Sequence, residues 1–93
     1  MSNDFSQKND KILKEILPLH KAEIGKRYEI VGCLLLPDIK TRLAEMGLVK
    51  GTVVTVVKKA PLGDPIEISV RGYALCIRAT EAEHFSVVEV QDE

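Results

Sequence analysis

Residues 42–65, RLAEMGLVKGTVVTVVKKAPLGDP, constrain this chain more than any other stretch. The segment opens as the end of an amphipathic helix, breaks at Gly47 and turns between Gly47 and Gly51. It continues as a valine-rich strand and closes on the bend Pro61-Leu62-Gly63-Asp64-Pro65. Upstream, Asp38 follows Pro37 where an N-cap belongs, and Ile39, Leu43 and Met46 follow at i, i+4 and i+7 as one stripe expected to be buried. Gly47 is then the expected left-handed C′ residue, with Leu48 placed to close a Schellman-type contact. The segment specifies a shape and contains no phosphate loop, metal cage or catalytic triad.

The rest of the chain must complete that shape within 93 residues, room for one domain and one core. With 45% apolar residues the composition is that of a globular domain. The longest apolar run, Val31 to Leu36, ends at a proline and falls far short of the roughly 20 residues that span a bilayer. The opening MSNDFSQKND has no basic patch followed by an apolar stretch, so no signal peptide and a cytoplasmic location are expected. In a reducing cytosol Cys33 and Cys76, outside any CxxC spacing, read as small buried or half-buried residues rather than a disulfide or metal pair. The net charge of −1 gives no general attraction to nucleic acid, although basic residues gather between Lys40 and Lys59 and acids after Ala79.

Ile12, Leu13, Ile16 and Leu17 recur at helical spacing, with Asn9 or Asp10 as cap and Pro18 as stop, which predicts a short N-terminal helix. A connector follows to Lys26, turning at Gly25. Residues 27–31 read as a strand with Tyr28 and Ile30 on one face. Residues 52–58 read as a strand covered on both faces, since Val53, Val54, Val56 and Val57 offer apolar groups to each. Residues 66–70 alternate cleanly, and Arg71-Gly72 makes a hairpin turn. Tyr73, Leu75 and Ile77 continue the inward face. Thr80 is placed to cap a helical turn over 81–84 before a last strand, 86–90. So few short strands cannot build two stacked sheets. The expected fold is mainly β: a small, partly open barrel with a helix inserted after the first strand and an extra N-terminal helix. Residues 1–18 form the extension, 19–90 the domain and 91–93 a frayed tail.

Chemistry is sparse. His84 sits between acids on one turn without a second histidine, His20 is in a connector, and no metal site is expected. Asp64 and Glu67 straddle Pro65, and Asp64 reads as a residue bonding its own turn. No Ser or Cys comes with a base and orienter, so neither an enzyme nor a cofactor is expected. The bend from Pro61 to Pro65 is either a rigid link or, with Leu62 at its tip, a preorganised partner contact.

The pattern R-L-x-E-M-G-L-x-x-G-x-x-V-x-V-V-x-x-A-P-L-G-D-P-I-E-I-x-V-R-G-Y-x-L-x-I-R resembles the FeoA family of small ferrous-iron transport proteins, from about Leu19 to Val90. The resemblance implies an SH3-like barrel with a helix after its first strand. It also implies a non-enzymatic cytosolic accessory of FeoB, the membrane ferrous-iron transporter, that is peripheral to the membrane through that partner alone. On this reading the partner surface holds Leu48 and Lys50 on the turn after the helix, Pro61, Leu62 and Asp64 on the bend, and Arg42 beside them. Two readings from other classes compete. One is an iron-dependent regulatory module resembling the C-terminal domain of DtxR-type repressors and acting in trans. The other is an RNA-binding barrel, disfavoured by the acidic C-terminal third and the four aromatics. Open strand edges also leave a route to weak self-association.

Overall fold

The computed structural model describes residues 15–91. The chain runs β1 (Ile16–Pro18), a 3-10 turn (Leu19–Lys21), β2 (Arg27–Cys33), α1 (Pro37–Glu45) and β3 (Val53–Lys59). A second 3-10 turn (Pro61–Gly63), β4 (Ile66–Val70), β5 (Tyr73–Ile77), a single helical turn α2 (Ala79–Ala82) and β6 (Phe85–Glu89) complete it. The six strands form one antiparallel sheet in the order β1-β6-β2-β3-β4-β5, with β1 and β5 at its edges.

Alternation in the sequence becomes sidedness in the sheet. On β4, Ile66, Ile68 and Val70 are wholly buried while Glu67 and Ser69 face outward. On β2, Tyr28 and Ile30 take the same inner side. The inner face and the elements laid on it share one core, whose largest members include Phe85, Leu19 and Ile30. Leu19 and Ala22, in the segment read as a connector, are fully buried and belong to that core.

β3 departs from expectation. Val54 and Val56 are buried, but Val53 and Val57 stand 40% and 41% exposed, so this strand is covered on one face only. The register slips between Val56 and Lys58 as β3 pairs with β4, which leaves Val57 without a cross-strand partner. A run of valines cannot by itself distinguish a doubly covered strand from a bulged one.

α1 begins two residues earlier than its sequence suggests. Leu36 is the N-cap, without a side-chain bond, and Pro37 takes the first helical position, where its fixed φ and missing N–H cost nothing. Asp38 is therefore not the cap, but it remains in the first turn where it complements the helix dipole. The helix ends in the expected Schellman pair. The Gly47 amide donates to the Ala44 carbonyl (2.9 Å), the Leu48 amide donates to the Leu43 carbonyl (3.0 Å), and Gly47 has φ 101°.

The N-terminal helix is not upheld where it can be checked. Residues 9–14 lie outside the described residues, and Ile16 and Leu17 form a strand that pairs with Val88 and Val87 of β6. Pro18 biases the residue before it toward extended backbone, and a helix this short gains too little to compete with sheet pairing. The sheet thus has a strand that sequence spacing assigned to a helix. α2 also starts before its expected position, with Arg78 rather than Thr80 at the N-cap. Cys33 is half-buried, whereas Cys76, on the edge strand, is exposed; both are free thiols.

Candidate partner-binding site

A groove of about 430 Å³ lies between α1, the bend before β4, β5 and α2. Its floor is apolar, from Leu43, Met46, Leu75 and Ile77, and its rim carries Arg42, Arg78, Asp64 and Glu81. The rim is internally tied. Arg42 donates to Glu81 at 2.8 Å, and the other Glu81 oxygen accepts the Arg78 amide at 3.2 Å. Asp64 does not bond its own turn as its sequence position suggests. Its carboxylate accepts the Ala79 amide at 2.8 Å and so adds a second N-terminal tie to α2, beside the Glu81 carboxylate that accepts the Arg78 amide. One carboxylate thereby fixes the bend against the helical turn.

A second hollow of about 330 Å³ flanks the same bend, lined by Lys58, Lys59, Ala60, Pro61, Pro65, Glu67 and Cys76. Pro65 and Cys76 line both hollows. The bend between them is closed at its neck, where the Ala60 amide donates to the Pro65 carbonyl at 3.0 Å and the Gly63 amide to the Ala60 carbonyl at 2.8 Å. Leu62 at the tip is 103% exposed with φ 69°. A leucine in left-handed backbone costs about 1–2 kcal/mol and here recovers nothing by burial. Folding does not account for it.

Of the residues assigned from sequence, Arg42 and Asp64 meet in the first groove, Pro61 lines the second hollow, and Leu62 projects from the bend. Lys50 is exposed on the turn after α1 and lines neither hollow. Leu48 has to be withdrawn as a surface contact. Its side chain is 3% exposed, because the Schellman turn that closes α1 folds it into the core. Met46 and Leu75, which spacing assigns to the interior, line the groove instead, and Arg78 and Glu81 carry no spacing signal, since contacts such as Arg42–Glu81 join residues 39 apart. His84 bonds the Thr80 carbonyl of its own turn at 2.9 Å. No cluster of three or more His, Cys, Asp or Glu side chains that could hold a metal occurs among the described residues.

These ties have unequal expected weight. Asp64→Ala should lower stability by about 1 kcal/mol, as loss of an N-cap does. Arg42→Ala should cost less than about 0.5 kcal/mol, because its side chain is 56% exposed and its ion pair is screened. Urea unfolding of both variants measures the difference.

A single antiparallel sheet bearing one inserted helix, a helical turn and a rigid flanking bend defines a small SH3-like domain without a metal-ligating cluster among the described residues. A family model for the FeoA domain matches residues 17–89, and the chain belongs to the FeoA family. The chain is 37% identical to the FeoA protein of Chlorobium tepidum (TM-score 0.77, covering 83% of this chain and 74% of that one). It is 30% identical to a FeoA-like protein of Clostridium acetobutylicum (TM-score 0.75, 87% and 94% covered). It is also 30% identical to Stenotrophomonas maltophilia FeoA solved with zinc (TM-score 0.64, 74% and 86% covered). That protein is described as a prokaryotic SH3 domain and candidate ferrous iron transport activating factor. IdeR of T. acidophilum shares the fold alone at 18% identity and TM-score 0.73, covering 82% of this chain and 35% of that one. Curated proteins yield no match.

Proposed function

We propose that this protein is a non-enzymatic accessory of ferrous iron transport that binds a cytosolic surface of a FeoB-type membrane transporter and modulates its assembly or activity. Membership of the FeoA family supports the transport setting. The observation that carries a binding role is Leu62, held fully exposed in left-handed backbone on a bend that is closed by its own hydrogen bonds and anchored to α2 through Asp64. A preorganised apolar tip loses little entropy when a partner covers it. Arg42, Pro61 and Asp64 border the same surface, and Lys50 forms an outlying basic point.

Leu62→Asp tests the assignment. Because Leu62 makes no buried contact, the variant should keep its thermal midpoint within a few degrees. It should weaken retention of the transporter's cytosolic part by about ten-fold or more, as expected when a charge replaces an apolar anchor. Unchanged retention with an intact fold would remove the bend from the partner surface. The regulatory alternative draws on the fold shared with iron-dependent repressors. It predicts tight ferrous-ion binding by the isolated protein in calorimetry, and the accessory reading predicts none.

A further inference from the structure

The two edges of the sheet are not alike. β1 pairs over three residues and ends in Pro18, a poor template for another strand. β5 pairs with β4 in unbroken register over five residues, from Val70↔Tyr73 to Ile66↔Ile77. Its turn, Arg71-Gly72, has both φ values positive (51° and 90°), the two-residue type whose flanking residues form the closing hydrogen-bonded pair. In an antiparallel ladder the bonded pairs then alternate. Tyr73, Leu75 and Ile77 direct their backbone groups to β4, and Ala74 and Cys76 aim an N–H and a C=O away from the sheet. None of those outward groups finds a partner among the described residues.

Natural edges are commonly blocked by lysine, proline or a bulge. β5 has none of the three, and its outward residues, Ala74 and Cys76, are small, uncharged and exposed. Beside it runs the groove floored by Leu43, Met46, Leu75 and Ile77. A strand laid along β5 would pass its alternate side chains over that floor.

Charge selects the occupant. Arg71 and Arg78 stand exposed just outside the two ends of β5, and neither forms an ion pair among the described residues. A second copy paired about a two-fold, Ala74 opposite Cys76, would set Arg78 of each copy beside the Arg71-Gly72 turn of the other. Like charges so placed oppose pairing. We propose that β5 is a strand-addition site for an extended segment of a partner protein, with acidic residues at the ends of its pairing stretch and uncharged side chains between them. The β5 site requires no particular partner and stands or falls separately from the transporter reading.

The probe is an acetylated, amidated peptide, EVTVTVE, titrated into the full chain by NMR, with KVTVTVK as the charge-reversed control. EVTVTVE should bind about ten-fold more tightly than KVTVTVK, since two end contacts change from attraction to repulsion. The amides of Ala74 and Cys76 should become protected from exchange, as ladder bonds require. The double variant Arg71→Glu, Arg78→Glu should reverse the peptide preference. Ala74→Pro should abolish binding while keeping the β4 pairing, because it deletes an N–H that β4 does not use. If that variant fails to fold, the charge-reversed pair still decides. Absence of binding at millimolar peptide, equal binding of both peptides, or protection on another strand would overturn the proposal. So would sedimentation showing that the protein dimerises and that Ala74→Pro alone makes it monomeric, which would assign the edge to a second copy.

Discussion

Phe85→Ala is expected to cost about 3–5 kcal/mol and to lower the thermal midpoint by at least about 12 °C. Phe85 is 1% exposed and is among the largest fully buried side chains. It opens β6 opposite Cys33 of β2, so its ring sits where two central strands and the core meet. Sheet pairing on both sides of β6, to β1 and β2, limits how far the backbone can collapse into the space left behind. A domain of this size holds only about 5–14 kcal/mol in total, so the variant should be substantially unfolded at moderate temperature. Differential scanning calorimetry against wild type reads the shift. A loss below about 1 kcal/mol would mean that the core does not centre on β6.

The second large effect is at Gly47, and it can be separated from ordinary glycine strain. Gly47 has φ 101°, and a Cβ added there would lie 3.2 Å from Cγ1 of Val70 on β4. Gly51 has nearly the same backbone, φ 95°, but nothing within 4 Å of an added Cβ. Any side chain suffers the backbone cost at both positions, about 1–3 kcal/mol. At Gly47 it must also push aside a buried valine in a well-packed sheet, which adds about 1–3 kcal/mol of overpacking. Gly47→Val should therefore destabilise by about 3–5 kcal/mol, and Gly47→Ala should be worse than Gly51→Ala. Equal losses for the two alanine variants in urea unfolding would show that the close approach of α1's end to β4 has no energetic weight.

Where local chemistry decides conformation, the chain is readable. The helix stop at Gly47 and the alternation along β4 depend on neighbours a few residues away, and both stand as the sequence suggests. The Ile39–Leu43–Met46 stripe holds only in part: Leu43 is buried, Ile39 is half-buried, and Met46, just past the end of α1, is 37% exposed over the groove. Elements decided by distant partners are not readable in that way. Ile16 and Leu17 have helical spacing, yet β6, about 70 residues later, offers them a ladder. Val57 belongs to a strand whose bulge is set by pairing with β4. The site divides along the same line. Leu62 was visible as a tip because prolines and glycine bracket it. The bond from Asp64 to Ala79 and the pair Arg42–Glu81 join positions 15 and 39 apart and exist only in the folded sheet. Leu48 shows how a correct local reading can still mislead. The Schellman contact assigned to it was itself a reason for burial, and a residue with 3% exposure offers no surface.

The proposed accessory role rests on direct contact between this domain and a cytosolic surface of the transporter. The measurement that tests it most directly is an NMR titration of the isotope-labelled protein with the purified cytosolic part of a FeoB-type transporter. Direct contact should give saturable changes at the amides of Arg42, Leu62, Gly63 and Asp64, diminished in Leu62→Asp. A spectrum unchanged at saturating partner, or changes confined to the β1 edge of the sheet, would contradict it.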